Sequence, residues 1–135
     1  MLTEALVDTD ILSFYFRGYP QVVTRFNEYL KTFEQINISI ITYYEIFGGL
    51  KFKKAEKQIR NFEEFINNNN IIHISEASAN SSSDIYADLR RKGITIGTSD
   101  ILIPGIAVEN DLTLITNNEK HYEGIQNLKI ENWNK

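Results

Sequence analysis

Short apolar runs alternate with longer stretches of helical periodicity along this chain. Five short runs, rich in β-branched and other apolar residues, predict strands. They are Ala5–Val7, Ile36–Ile40, Ile71–Ile74, Thr113–Thr116 and Leu128–Glu131. Between most of them, apolar residues recur every three or four positions, which predicts amphipathic helices. Alternating strands and helices indicate an α/β fold, a three-layer α/β/α sandwich around a mainly parallel sheet.

The predicted helices have recognisable ends. Thr42 is a predicted N-cap, and Glu45 three residues later matches a capping box. Gly93 follows basic residues and predicts a helix C-terminus. The predicted helices begin at Pro20 and Thr42, run over Lys54–Asn67 and Glu76–Lys92, extend from Thr98 or Ser99 to Asn110, and include a short one near Glu119.

Length and composition favour one ordinary globular domain over residues 1–135. Hydrophobic residues make up 42% and charged residues 24% of the 135 positions, as in soluble proteins. The chain has no Cys, which excludes a disulfide framework, a thiolate zinc site and a cysteine nucleophile. No apolar run is long enough to span a bilayer, and residues 1–8 do not resemble a signal peptide. We therefore expect a cytoplasmic protein.

The charge balance argues against a passive nucleic-acid-binding protein. With 14 basic and 18 acidic residues, the net charge is −4, so the surface is not basic throughout. Two local basic clusters, within 51–60 and 90–92, are equally explained as solvated helix faces. A nuclease remains compatible with this balance, because an acidic metal site itself lowers the net charge.

Four polar residues are expected at one edge of the predicted sheet. Asp8 ends the first strand, Asn118 follows the fourth, and Glu45 and Asp100 are expected in the first turns of their helices. Ligands of such sheets bind beyond the carboxyl ends of the strands. Carboxylates brought together repel unless a cation neutralises them, and oxygen ligands favour Mg²⁺ or Mn²⁺. Such a cation can activate water against a phosphodiester.

Each of these residues also has a purely structural explanation. Asp8 and Asn118 could form turns, and acids are favoured at helix N-termini by the helix dipole. Their common placement at one sheet edge favours a shared site.

Motifs along nearly the whole chain carry a family resemblance. They are Val7–Leu12, Ser39–Ile46 followed by Gly48, Ile96–Ile103, Leu114–Asn118 with His121 and Tyr122, and the ending Ile130–Trp133. In this order they resemble the motifs of PIN domains, and most closely those of VapC-type toxins. The resemblance implies an α/β/α sandwich, Mg²⁺- or Mn²⁺-dependent endoribonuclease activity on RNA, homodimerisation and inhibition by a cognate antitoxin.

The resemblance also assigns roles to individual residues. It carries the acidic site onto Asp8, Glu45 and Asp100, with Asp8 and Asp100 as metal ligands. The fourth catalytic position, Asp or Asn in the family, falls on Asn118. Hydroxyl positions near the metal fall on Thr9 and on Thr98 or Ser99.

Several residues depart from the family pattern or stay open. Asp10 stands where Asn is usual, so it either adds a charge to the site or faces away. Neutral Asn118 makes occupancy by one metal plausible. Pro104, followed by Gly105, interrupts a predicted helix at a cost of about 3 kcal/mol unless a kink is accommodated. His121 is either a phosphate or metal contact or a packing residue.

Two other function classes fit parts of the sequence. Asp8-Thr9-Asp10 resembles the opening of haloacid-dehalogenase-like phosphatases, but the chain has no Asp-Asp pair after a later strand. A non-catalytic PIN-like binding module with a decayed site is the other alternative. Metal binding distinguishes it from a nuclease.

Aromatic residues close to the predicted acidic site are candidates for binding a protein partner. The aromatic stretches Phe14–Phe16 and Tyr43–Phe47 follow Asp8 and flank Glu45. Any of these side chains left exposed would form an apolar groove for the antitoxin beside the metal site.

Overall fold

The computed structural model describes residues 2–135, which fold into five short strands and seven helices. The strands are β1 (Ala5–Val7), β2 (Asn37–Ser39), β3 (Asn70–Ile72), β4 (Thr113–Ile115) and β5 (Ile130–Glu131). The helices are α1 (Thr9–Phe16), α2 (Pro20–Leu30), α3 (Ile40–Phe52), α4 (Glu56–Asn68), α5 (Glu76–Arg91), α6 (Ser99–Glu109) and α7 (Glu119–Tyr122). No helix within residues 2–135 has both the length and the apolar character needed to cross a bilayer.

All strand pairs are parallel, and the strand order is β3-β2-β1-β4-β5. β1 lies at the centre, and Val7 at its end is in register with Ile115 of β4. The chain leaves the neighbouring strands β1, β2 and β4 at the same edge of the sheet. The residues that follow these three strands are therefore delivered to one place.

The sheet buries both of its faces, as the continuous apolar strands predict. Successive side chains of a strand point to opposite faces, and β1 follows this rule. Ala5 and Val7 join a core cluster with residues of α1 to α4, including Phe26 and Phe62. Leu6 joins a second cluster with residues of α5 to α7, such as Ile106. The predicted three-layer α/β/α fold is thus confirmed.

Helix α1 was not predicted. Asp8 caps it with extended backbone, and its side chain accepts a hydrogen bond from the backbone N–H of Thr9 over 2.9 Å. Ile11 and Leu12 are fully buried. Thr9, Asp10 and Ser13 are its polar positions, but α1 has only eight residues, fewer than the about 11–18 over which helical periodicity is recognised in a sequence.

The predicted cap of the third helix was wrong. Ser39, not Thr42, is the N-cap of α3, and its hydroxyl accepts a hydrogen bond from the Thr42 backbone N–H over 3.0 Å. Strand β2 ends at Ser39 and α3 begins at Ile40, so no loop residues separate the two elements. Glu45 consequently lies in the second helical turn instead of the first, and it has no capping-box role.

Pro104 and Gly105 lie inside α6, where this helix packs against α5. The Ser82 hydroxyl on α5 donates to the Ile101 carbonyl over 3.1 Å. A Cβ atom placed on Gly105 would lie only 1.8 Å from Ser82 Oγ. The close approach of the two helices therefore requires Gly105, and the Ser82 hydroxyl adds a hydrogen bond between them.

Candidate active site

Asp8 is the most buried acid of the candidate site. It directly follows β1, and its side chain is held in place by two neighbours. Oδ1 accepts from the Thr9 backbone N–H over 2.9 Å, and Oδ2 accepts from the Thr116 hydroxyl over 2.8 Å. Asp8 is 6% exposed and Thr116 is fully buried, so little water solvates this carboxylate.

Burial raises the pKa of Asp8 from its ordinary value of 3.8 to about 7. The negative charges of Asp10 and Asp100 raise it as well, whereas the hydrogen bonds from Thr116 and Thr9 lower it. Desolvation and like charges both disfavour the ionised form. A cation bound at this point would reverse that preference.

Asp10 faces the site and adds a charge to it. Its Oδ2 accepts from the Asn117 backbone N–H over 3.1 Å, and its Oδ1 accepts from Ile11 N–H over 2.7 Å. Burial raises the pKa of Asp10, and the charge of Asp100 adds to this effect. Of the two possibilities left open by the sequence, the charge of Asp10 raising the pKa of Asp8 favours a carboxylate that adds a charge to the site.

Glu45 is connected to the first acidic motif by a chain of hydroxyl groups. Thr9 donates to Glu45 Oε1 over 2.7 Å, and the Thr9 and Thr42 hydroxyl oxygens lie 2.9 Å apart. Because Thr9 has one hydroxyl proton and gives it to the carboxylate, Thr42 must donate to Thr9. Ser39 in turn donates to Thr42 over 3.3 Å. This chain joins the ends of β1 and β2 beside Glu45.

Asp100 lies in the first turn of α6, as predicted. Tyr122 donates its hydroxyl to Asp100 Oδ1 over 3.0 Å, and His121 Nε2 lies 3.5 Å from Oδ2. The Tyr122 ring is buried, and burial with the nearby charges of Asp8 and Asp100 raises the pKa of its hydroxyl. Tyr122 therefore acts as a neutral hydrogen-bond donor.

Asn118 follows β4, but its side chain is exposed. Its backbone N–H donates to Thr116 Oγ1 over 3.1 Å, which ties the turn to the same hydroxyl that contacts Asp8. The neighbouring Asn117 turns its side chain toward the C-terminal segment and accepts from Asn132 over 3.3 Å. Asn118 is at the predicted edge, while its catalytic role stays a prediction.

The donor chemistry of this edge fits a hard divalent cation. Asp8 and Asp100 offer carboxylate oxygens whose charges repel each other. Among residues 2–135, no three acidic, His or Cys side chains stand together as a ready-made metal-binding group. A cation held by two carboxylates would complete its coordination with water, as Mg²⁺ commonly does.

Comparison with known proteins identifies the family. The family model described as PIN domain matches residues 5–124. The chain belongs to the PIN-domain family. The resemblance inferred from the four motifs is thereby confirmed.

Relatives of this PIN domain align over almost their whole length. Ribonuclease VapC2 of Rickettsia felis is 32% identical over 131 residues, covering 96% of this chain and 98% of the relative. The tRNA(fMet)-specific endonuclease VapC of Shigella flexneri is 30% identical over 134 residues, covering 98% and 99%. These relatives are nucleases by name, which supports the expected enzyme class.

The same fold occurs in a solved toxin–antitoxin complex. It is VapBC2 from Rickettsia felis, crystallised with a DNA fragment from its promoter. The matching chain has a TM-score of 0.86 and 30% identity, and the match covers 96% of this chain and 98% of that one. The family match leaves no support for the dehalogenase-like phosphatase, because Asp8 and Asp10 belong to the first motif of a PIN domain.

Three residues of this PIN domain site were not singled out as site residues from the sequence. They are Thr42, Thr116 and Tyr122, which hold Thr9, Asp8 and Asp100 through their hydroxyl groups. All three lie inside motifs that carry the family resemblance, so motif membership was the available signal. Because a buried hydroxyl group needs a hydrogen-bond partner, each of these three side chains is expected to contact another polar group.

Proposed function

We propose that this PIN domain, formed by residues 1–135, is a divalent-metal-dependent endoribonuclease and the toxin of a toxin–antitoxin pair. The observation that carries the proposal is the buried Asp8 carboxylate, whose charge is disfavoured by Asp10 and Asp100. Such an arrangement is expected of an acidic site that receives a cation. The names of the full-length relatives support the ribonuclease assignment.

The proposed mechanism assigns distinct tasks to the acids. Asp8 and Asp100 would hold Mg²⁺ or Mn²⁺, which supplies an activated water and neutralises charge on the scissile phosphate. Glu45, which accepts a hydrogen bond from Thr9, would orient or deprotonate the attacking water. Asp10 would add negative charge next to Asp8 and so favour cation binding. Asn118 would contact the substrate from the exposed rim.

The proposed substrate is RNA, and transfer RNA is the first class to test. Relatives that are 30% and 32% identical carry the name tRNA(fMet)-specific endonuclease. Lys120, which precedes His121 on α7, is exposed and would be available to phosphate groups. A cytoplasmic location, where such RNA is found, is part of this proposal.

A cleavage assay with purified protein tests this function. Total tRNA is incubated with the protein in Mn²⁺, in Mg²⁺ and in EDTA, and the new RNA ends are sequenced. We expect defined internal cleavage that requires metal and is lost in Asp8→Asn and Asp100→Asn. Undiminished cleavage in EDTA would contradict the metal mechanism. Absence of both cleavage and Mn²⁺ binding would favour the non-catalytic binding module.

The proposed protein partner is a cognate antitoxin that binds near the acidic site. Of the predicted aromatic stretches, Tyr44, which precedes Glu45, is 72% exposed and Phe16 is 41% exposed. Phe52 at the end of α3, outside those stretches, is 87% exposed and would extend the same surface. Phe47 is buried, and its ring packs 4.9 Å from that of Phe62, so it belongs to the core. Homodimerisation is proposed too, and light scattering of the purified toxin tests it.

A further inference from the structure

Both oxygens of the Asp100 carboxylate face consecutive side chains of α7. Tyr122 Oη donates a hydrogen bond to Oδ1 over 3.0 Å. His121 Nε2 lies 3.5 Å from Oδ2, which is an ion-pair distance. This nitrogen is buried and makes no hydrogen bond within residues 2–135, so the Asp100 carboxylate is its nearest partner of opposite charge. The two side chains thus converge on one carboxylate from a neighbouring segment.

Asp100 receives little support from its own segment. Thr98, the N-cap of α6, makes no side-chain hydrogen bond to the helix. The residues before it, 94–97, form no regular secondary structure and are mostly exposed. The Asp100 side chain is itself 40% exposed. The orientation of this carboxylate must therefore be set by contacts outside its own segment.

Tyr122 provides a rigid reference for that orientation. It is 1% exposed and packs in the core cluster of α5 to α7. The ring is fixed by packing on the apolar side, while the hydroxyl reaches the acid 22 residues away along the chain. A buried aromatic ring has few alternative rotamers. The Asp100 carboxylate that accepts from the Tyr122 hydroxyl is therefore restricted in its orientation as well.

We propose that Tyr122 and His121 are positioning residues that hold the Asp100 carboxylate in the orientation required for cation binding. The proposal rests on the proposed function and extends it to residues that act only through Asp100. A carboxylate already fixed in place loses less conformational freedom when it binds a cation. Side chains that hydrogen bond to metal ligands change metal affinity by about 10- to 100-fold.

The decisive variant is Tyr122→Phe, which removes one hydroxyl and keeps the buried ring. Mn²⁺ affinity is measured by electron paramagnetic resonance on the RNA-free protein, with thermal unfolding recorded alongside. We expect about tenfold weaker Mn²⁺ binding. The matched control is Tyr29→Phe, because Tyr29 is equally buried but lies in the other core cluster. Its hydroxyl accepts a hydrogen bond from the Ala5 backbone N–H. This control should keep the wild-type affinity.

Two His121 variants test the second side chain. His121→Gln can place an amide N–H near Asp100 and should retain most of the Mn²⁺ affinity. His121→Ala removes the contact and should weaken binding. In an Asp100→Asn background, Tyr122→Phe should have no further effect, because the carboxylate on which it acts is gone.

The outcomes separate this proposal from the proposed function. Wild-type Mn²⁺ affinity in Tyr122→Phe overturns the positioning role, and so does an equal loss in the Tyr29→Phe control. An unchanged affinity in His121→Ala removes His121 from the proposal. A wild-type protein that neither binds Mn²⁺ nor cleaves RNA overturns the proposed function itself, whereas one that does both leaves it standing whatever the variants show.

Discussion

Thr116 donates its hydroxyl to Oδ2 of Asp8 over 2.8 Å, although the two residues are 108 positions apart in the chain. The contact follows directly from the pairing of β1 with β4. Asp8 N–H also donates to the Ile115 carbonyl over 2.9 Å, which extends the strand ladder to the site. The position of the Asp8 carboxylate is thus determined by the central sheet and not by a loop.

Thr116→Val should impair catalysis with little change in shape. Val fills the same buried volume but leaves Asp8 without its side-chain donor, which otherwise lowers the Asp8 pKa. Loss of a hydrogen bond to a charged group costs about 2 kcal/mol, so kcat/KM should fall by roughly tenfold or more. The pH dependence of RNA cleavage should also move to higher pH.

A matched control for this variant is Thr113→Val. Thr113 is buried at the start of β4, the strand that Thr116 directly follows, and its hydroxyl pairs with that of Thr3 over 2.8 Å. The Thr113→Val variant should leave the pH profile of RNA cleavage unchanged. Superimposable profiles for Thr116→Val and wild type would show that this hydroxyl does not act on Asp8.

Without metal, the stability of the wild-type fold should decrease as pH rises. Folding raises the pKa of Asp8 from 3.8 to about 7, so between these values the folded state binds a proton that the unfolded chain has released. Unfolding is therefore favoured as pH increases through this interval. Asp8→Asn removes this contribution, and its stability advantage over wild type should be larger at pH 8 than at pH 5.

Urea denaturation at the two pH values, in EDTA, measures this difference. Adding Mn²⁺ should stabilise the wild type more at pH 8, because the cation binds the ionised carboxylate. Asp8→Asn should gain much less from Mn²⁺ at either pH. An Asp8→Asn variant with the same pH dependence as wild type would contradict the raised Asp8 pKa.

The sheet and the edge that carries the site could be predicted because buried parallel strands are short, continuous apolar runs. Once these strands were placed, the rule about their carboxyl ends brought Asp8 and Asn118 to one edge. Asp100 follows no strand, and its placement came from the predicted first turn of a helix. Helix α1 escaped prediction because Thr9–Phe16 has only eight residues. Helical periodicity is recognised over windows of about 11–18 residues, so such a short segment gives too few repeats.

The cap of α3 shows a second limit of sequence reasoning. Ser39 and Thr42 both have hydroxyl groups suited to capping, so the choice depends on where β2 ends. Long-range contacts such as Tyr122 with Asp100 are a third limit, since no local pattern reports them. The partner of each buried hydroxyl becomes visible only when distant segments have been placed in three dimensions.

Gly105→Ala should destabilise the fold and displace Asp100. The added Cβ would collide with Ser82 Oγ and approach the Ser78 carbonyl to 2.9 Å, so α6 would have to move away from α5. Overpacking of this kind costs about 1–3 kcal/mol, measured by urea denaturation. Because Asp100 lies on α6, metal-dependent cleavage should fall as well.

The control for Gly105 is Gly49→Ala on α3. A Cβ at Gly49 meets nothing within 4 Å, and Ala favours an exposed helix over Gly by about 1 kcal/mol. This variant should therefore be as stable as wild type or more stable. Equal stabilities for Gly105→Ala and wild type would mean that α5 and α6 can separate without cost.

Tyr44→Ala should weaken binding of the cognate antitoxin and leave the fold intact. The Tyr44 side chain is 72% exposed beside Glu45, so little packing is lost in the free toxin. An aromatic side chain buried by a partner can contribute about 2 kcal/mol, so Kd should rise roughly thirtyfold. Phe52→Ala, at the exposed end of α3, should act in the same direction.

Two controls decide how this result is interpreted. Tyr86→Ala removes an aromatic that is 50% exposed on α5, in the opposite helix layer, and should leave antitoxin binding unchanged. Phe47→Ala instead empties part of the core and should cost about 3–5 kcal/mol of stability, so loss of binding in that variant would reflect unfolding.

Titration calorimetry with the purified antitoxin at low and high salt measures the affinities. Aromatic contacts persist in salt, whereas pairing of antitoxin cations with the acidic site is screened. Full neutralisation of folded Tyr44→Ala and Phe52→Ala toxins would place the antitoxin on another surface.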